Sequence, residues 1–221
     1  VGEAVIEGGR VKTLKHLSGL NVRLCREVIG AADPVINRVV MGGNPGVVLN
    51  TLIVSPPGAG KTTLLRDLVR QISDGVPRLN FRGVKVAVVD ERSELAGCYQ
   101  GVPQKDVGIR TDVLDGCPKA TGIMMVIRSM SPHVVATDEI GSPQDAAALR
   151  EAVNAGVSVL ATAHAASLAD LKRRETVASL LDKGLFERLI VLGRSRGVGT
   201  VEAVLDIGAR GVRAAITGRR V

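Results

Sequence analysis

A chain of 221 residues, 45% of them hydrophobic, holds enough material for one full α/β core and a small appendage, so one main domain is expected. No apolar stretch approaches the roughly 20 residues of a membrane-spanning helix, which reads as a soluble chain. Cys25, Cys98 and Cys117 are odd in number and lack CxxC spacing, so neither a disulfide framework nor a zinc site is implied. The formal charge of +7 is uneven, because residues 172–221 carry eleven Lys or Arg against five Asp or Glu. Such a basic flank suits nucleic acid, an acidic partner or anionic lipid. Only three aromatics, Phe81, Tyr99 and Phe186, are present, too few for a base-stacking platform, which argues against nucleic acid as a partner.

The chain begins at Val1 and enters at once on a strand-like pattern, which reads as a longer protein lacking its N-terminal part. Alternating segments at 10–17 and 21–27 predict two strands joined around Ser18-Gly19, a β remnant within residues 1–30. A helix is expected near Asp33-Pro34, with Pro at its first position, ending before Gly42-Gly43. From residue 47 the pattern is regular. Val- and Ile-rich runs at 48–54, 84–89, 134–137, 157–162 and 189–192 predict buried strands. Segments of helical period lie between them at 61–73, 118–130, 144–154 and 168–181. Strands alternating with helices imply a parallel sheet covered on both faces, here spanning a domain at 31–221. The tail, 200–217, is broken by Gly208 and Gly211 and predicts an antiparallel hairpin at the sheet edge.

The run SPPGAGKTTLL at 55–65 follows a strand and opens a helix, the context that makes a GxxxxGK[ST] match specific. Ser55 replaces the first Gly, while Gly60-Lys61-Thr62 is intact. Residues Pro57, Gly58, Ala59, Gly60, Lys61, Thr62 and Thr63 are the expected phosphate cradle. Its glycines let successive N–H groups turn inward, and the helix adds its positive end. Lys61 neutralises the β- and γ-phosphates and Thr62 offers a hydroxyl to Mg²⁺. No guanine-reading NKxD-like segment is present, which favours ATP.

Phosphoryl transfer also needs acids to hold Mg²⁺ and orient water. The strand PHVVATDEIG at 132–141 ends in Asp138, the expected Mg²⁺ partner, and Glu139, the expected general base. In an extended chain their side chains point different ways and can serve different atoms. A competing base lies at 88–97, where VVDERSELAG brings Asp90, Glu91 and Glu94 to the same edge of the sheet, and Glu91 is its candidate. His164 ends the strand at 157–164 and can bond the γ-phosphate or its water.

The stretches at 8–27, 56–73, 86–101 and 127–141 together resemble the stage III sporulation protein AA family of endospore-forming bacteria. The resemblance implies a mother-cell cytoplasmic ATPase, peripheral to the membrane and working with membrane proteins of a mother cell–forespore channel. More distantly, the motif order is similar to that of type II and type IV secretion ATPases. That likeness implies a RecA-like P-loop NTPase fold, a homo-oligomeric ring, expected to be hexameric, and an arginine supplied between subunits. Arg92, Arg110, Arg128, Arg194 and Arg196 are the candidates. Asp138 stands where those enzymes usually have Gly before the Glu. Alternatives are a RecA-like nucleic-acid translocase and a nucleotide-gated scaffold with little turnover.

Overall fold

The computed structural model describes residues 1–22, 26–43, 46–165, 167–208 and 211–217. At the start, β1 (Glu3–Glu7) and β2 (Arg10–Lys15) form an antiparallel hairpin about Gly8-Gly9. Both turn glycines have positive φ, 58° and 74°, as a two-residue hairpin loop of the right-handed twist demands. The expected hairpin is therefore present but displaced. Gly8-Gly9 supplies two left-handed residues in a row, which Ser18-Gly19 cannot, and residues 21, 22, 26 and 27 are not strand. Residues 23–25 lie outside the described residues.

The first helix is shorter than expected. Turns occupy 29–35, and α1 (Ile36–Val39) forms a single turn before the β-branched Val39-Val40 pair carries the chain into β3 (Val40–Met41). That strand pairs antiparallel with β4 (Val47–Val48). Asp67 from the next helix accepts the Ala32 N–H at 2.8 Å and fixes this entry segment onto the domain.

The main sheet is built from β5 (Thr51–Ser55), β8 (Val86–Asp90), β9 (Thr111–Asp115), β10 (Val134–Thr137), β11 (Ser158–His164), β12 (Arg188–Gly193), β13 (Thr200–Gly208) and β14 (Gly211–Thr217). A small pair, β6 (Gly75–Val76) and β7 (Phe81–Arg82), lies outside it. The order is β14-β13-β12-β5-β11-β10-β8-β9. The six strands from β12 to β9 are parallel, and β13 and β14 add antiparallel at one edge. The C-terminal hairpin is thus where the sequence predicts it. Helices α2 (Lys61–Asp74), α3 (Lys119–Met130), α4 (Pro143–Asn154), α5 (Leu168–Lys172) and α6 (Glu175–Asp182) supply the crossovers.

Strand residues alternate between two cores, which is why these strands read as unbroken apolar runs. Ile53, Val86 and Val88 pack with Leu65, Leu68 and Ile72 of α2 on one face. Leu52, Val54, Ala87 and Val89 pack with Ile123 and Leu149 of α3 and α4 on the other. The helix expected over 168–181 breaks at Arg173-Arg174. Leu171 and Val177 are both buried, and on one continuous helix they would point about 120° apart. The break lets α6 bury Val177 and Leu180 together. Among the described residues no helix is long and apolar enough to cross a membrane.

Candidate nucleotide site

The site sits at the carboxyl edge of the parallel strands, where an α/β sheet offers an open crevice. β5 ends at Ser55 and α2 begins at Lys61, so residues 56–60 form a loop that hands its N–H groups to the helix start. Gly58 and Gly60 have φ of 66° and 95°. A Cβ at Gly58 would lie 2.9 Å from Arg194 Nη2, and one at Gly60 3.3 Å from Gly199 Cα. Both positions need glycine for the turn, and Gly60 also for the Gly199 backbone beside it, whereas at Gly58 the flexible Arg194 tip could shift aside.

Lys61 is only 5% exposed. Its ammonium donates to Ser55 O (3.4 Å), Ser55 Oγ (3.3 Å) and His164 Nδ1 (3.0 Å). Burial pushes its pKa down, the nearby Asp138 and Glu139 carboxylates oppose this, and Arg174 adds to the lowering; the balance lies below the ordinary lysine value. The Ser55 hydroxyl, which donates to Pro56 O at 2.7 Å, is thus a docking point for the lysine.

Asp138 ends β10 beside the first turn of α2. Thr62 Oγ1 donates to its Oδ2 at 2.6 Å, while Thr162 Oγ1 and the Glu139 N–H (3.0 Å) donate to its Oδ1. Glu139 is not extended as the sequence suggests, because its φ of 53° places it in the left-handed region. This turn, and not strand pleating, sends the two carboxylates different ways. Glu139 Oε1 bonds His164 Nε2, and its Oε2 accepts from Arg92 at 2.6 Å. A lysine ammonium can only donate, so His164 Nδ1 accepts and its Nε2–H donates to Glu139. Lys61, His164, Glu139 and Arg92 form one continuous chain.

Burial pushes the Glu139 carboxyl up, but the hydrogen bond from His164 and the charges of Arg92 and Lys61 outweigh it and hold it below the usual glutamate value. A base must be deprotonated to act. If Glu139 is the base the sequence points to, its acid limb of turnover is expected below the ordinary carboxylate range. Arg92→Ala removes a lowering charge and should move that limb to higher pH, as a pH–rate profile of kcat would read. An unmoved limb would mean that another group sets it.

The competing acids divide into roles. Asp90 is 2% exposed, and its carboxylate accepts the N–H groups of Glu94 (3.0 Å), Leu95 (2.9 Å) and Ala96 (2.9 Å), which makes it the staple of the loop after β8. Glu91 is paired with Lys119 and lines a small recess with Asp90, Arg92, Asp138 and Glu139. The larger cleft, about 500 Å³, is lined by Gly58, Lys61, Thr62, Glu139, His164 and Val198 among others. Pro57, Ala59 and Thr63 complete the predicted cradle, with Ala59 fully buried. Val198 is a site residue that the sequence reading does not single out, while Ser55 and Arg92, named there, take roles it did not give them, against Lys61 and Glu139. Ser55 carried a signal, since it stands in the first motif position.

Thr62 and Asp138 place hydroxyl and carboxylate oxygens together, a donor set suited to Mg²⁺. Among the described residues no cluster of three or more His, Cys, Asp or Glu could hold a metal alone.

Residues 1–213 match the family described as Sporulation stage III, protein AA. The chain belongs to that family. Stage III sporulation protein AA of Bacillus subtilis is 47% identical over 205 residues, covering 93% of this chain and 65% of that protein. The uncharacterized protein ycf45 of Porphyra purpurea is 28% identical over 192 residues, covering 85% of this chain and 31% of its own length. The chain thus spans less than two thirds of the length of both relatives. Among solved structures, the ATPase DotB of Yersinia pseudotuberculosis superposes with a TM-score of 0.54 at 14% identity over 86% of this chain and 47% of that one. This likeness is one of fold, and it bears out the expected RecA-like sheet of this sporulation protein AA family member.

Proposed function

We propose that this chain is a Mg²⁺-dependent ATPase that serves as the motor of a membrane-associated channel between mother cell and forespore. It would act from the mother-cell cytoplasm as a homo-oligomeric ring, hexameric by the resemblance, in company with the channel's membrane proteins. The observation that carries the chemistry is the chain from Lys61 through His164 to Glu139, lying beside the Thr62–Asp138 pair. Mg²⁺ held by Thr62 and Asp138 would neutralise phosphate charge. Lys61 rests on Ser55 and His164 and is free to exchange these neutral partners for phosphate oxygens, a stronger charge-assisted contact. That exchange releases His164 Nδ1 and ties Glu139, the proton acceptor for water, to occupancy of the cradle. Family membership supports the sporulation setting, and the fold supports the motor class.

Of the arginines considered for action between subunits, Arg92 is engaged by Glu139, Arg110 by Ser73 O at 3.0 Å and Arg194 by Pro57 O at 2.9 Å. The Arg196 charge acts on the Glu202 carboxylate, while among the described residues Arg128 makes no side-chain hydrogen bond or ion pair; these two are the arginines left to reach a neighbour. Mg²⁺-dependent ATP turnover should therefore rise per subunit with protein concentration. Turnover that stays near zero at every concentration, with nucleotide tightly bound, would favour the gated scaffold. Activation by single-stranded DNA with a steep salt dependence would favour the translocase.

A further inference from the structure

We propose that the turn between β12 and β13, residues 194–199, is the nucleoside wall of the site, with the Val198 side chain as the apolar contact for base and ribose. The proposal rests on the ATPase reading above. Its first support is topological. β5 carries the P-loop, and β11, β10 and β8, whose ends bear His164, Asp138-Glu139 and Glu91, all lie on one side of it. The phosphate to be cut must face those acids. The nucleoside, at the other end of the triphosphate, must then leave on the opposite side of β5. The next strand there is β12, and its turn into β13 rises beside the P-loop.

That turn is built onto the cradle. Arg194 Nη2 donates to Pro57 O at 2.9 Å and the Gly199 N–H to Ala59 O at 3.2 Å. A phosphate-binding loop turns its N–H groups inward, so its carbonyls point outward and need donors. The turn supplies two of them. Its own shape is held by Thr200 Oγ1 on Gly197 O (2.7 Å) and by Ser195, whose N–H and hydroxyl bond Glu202 at 3.1 and 3.0 Å. A Cβ at Gly60 would lie 3.3 Å from Gly199 Cα and 3.8 Å from Val198 Cγ1, so the turn comes close to the cradle. Val198 is thereby presented at a fixed place, 69% exposed, on the wall of the same cleft as Gly58, Lys61 and Thr62. Apolar surface held rigidly beside a polar cradle is what a purine nucleoside needs once its phosphates are anchored.

The test compares two probes, Mg·ATP and inorganic tripolyphosphate with Mg²⁺, by titration calorimetry on the full chain. Val198→Asn is neutral, so it leaves the charge of the cradle unchanged. It is expected to weaken ATP about fivefold, the loss of one modest apolar contact, and to leave tripolyphosphate at wild-type affinity. Val198→Ile should restore ATP binding, which a mere loosening of the fold would not. Equal weakening of both probes, or no change in either, overturns the wall. A wild-type chain that binds neither probe overturns the P-loop reading itself, a result distinct from failure at Val198.

Discussion

Glu139→Gln is expected to lower ATP turnover by roughly 10²–10⁴-fold, the usual contribution of a positioned general base, while Mg·ATP stays bound. The amide keeps the size of the carboxylate and can still accept from His164, so the Lys61–His164 contact is preserved and the cradle is unaltered. What it loses is the ability to take a proton from water. Phosphate release and nucleotide retention measured on the same sample decide the matter. If both are lost together, Glu139 holds the site open and does not act on water. If Glu139→Gln turns over normally and Glu91→Gln does not, the base lies at the end of β8, and the Lys119–Glu91 pair must open for it to act.

Lys61→Ala should weaken nucleotide by about 100-fold, since two charge-assisted hydrogen bonds to phosphate at about 1.5 kcal/mol each would vanish. The variant is not expected to unfold. Lys61 has its folded pKa below the unfolded one, so the unfolded chain holds that proton more tightly. The buried charge therefore costs stability at neutral pH, and stability rises as pH climbs from the folded value to the unfolded one. Alanine removes that cost along with the Ser55 and His164 contacts. Nucleotide binding at wild-type strength, measured beside an unchanged thermal transition, would sink the phosphate-cradle assignment.

The buried parallel strands were legible because each is apolar on both faces, and the 134–137 strand coincides with its prediction. β9 was not. Its sequence, Thr111–Asp115, carries acids within and at the end of an edge strand that buries little, so it has the composition of a loop and gains its place by pairing with β8. The break after α5 was hidden for a different reason. Leu171, Val177 and Leu180 are all apolar and all enter the same core, and only their joint burial shows that the helix must break for Leu171 and Val177 to do so. In the site, the cradle and the acids were readable as motifs because the chemistry ties residue type to spacing. The contacts that tune them, Ser55 to Lys61 and Arg92 to Glu139, join residues through space, and no spacing rule announces them.

If Glu139 is the base, as proposed above, it sets activity against durability. It occupies a left-handed backbone conformation, φ 53°, which costs a side-chain-bearing residue on the order of 1 kcal/mol and glycine almost nothing. Selection for robustness alone would therefore drift toward Glu139→Gly, a tougher and silent protein. On the ATPase reading proposed above, the carboxylate at the tip of β10 gives up that stability for turnover, and a laboratory screen for heat resistance run without an activity filter would tend to erase it.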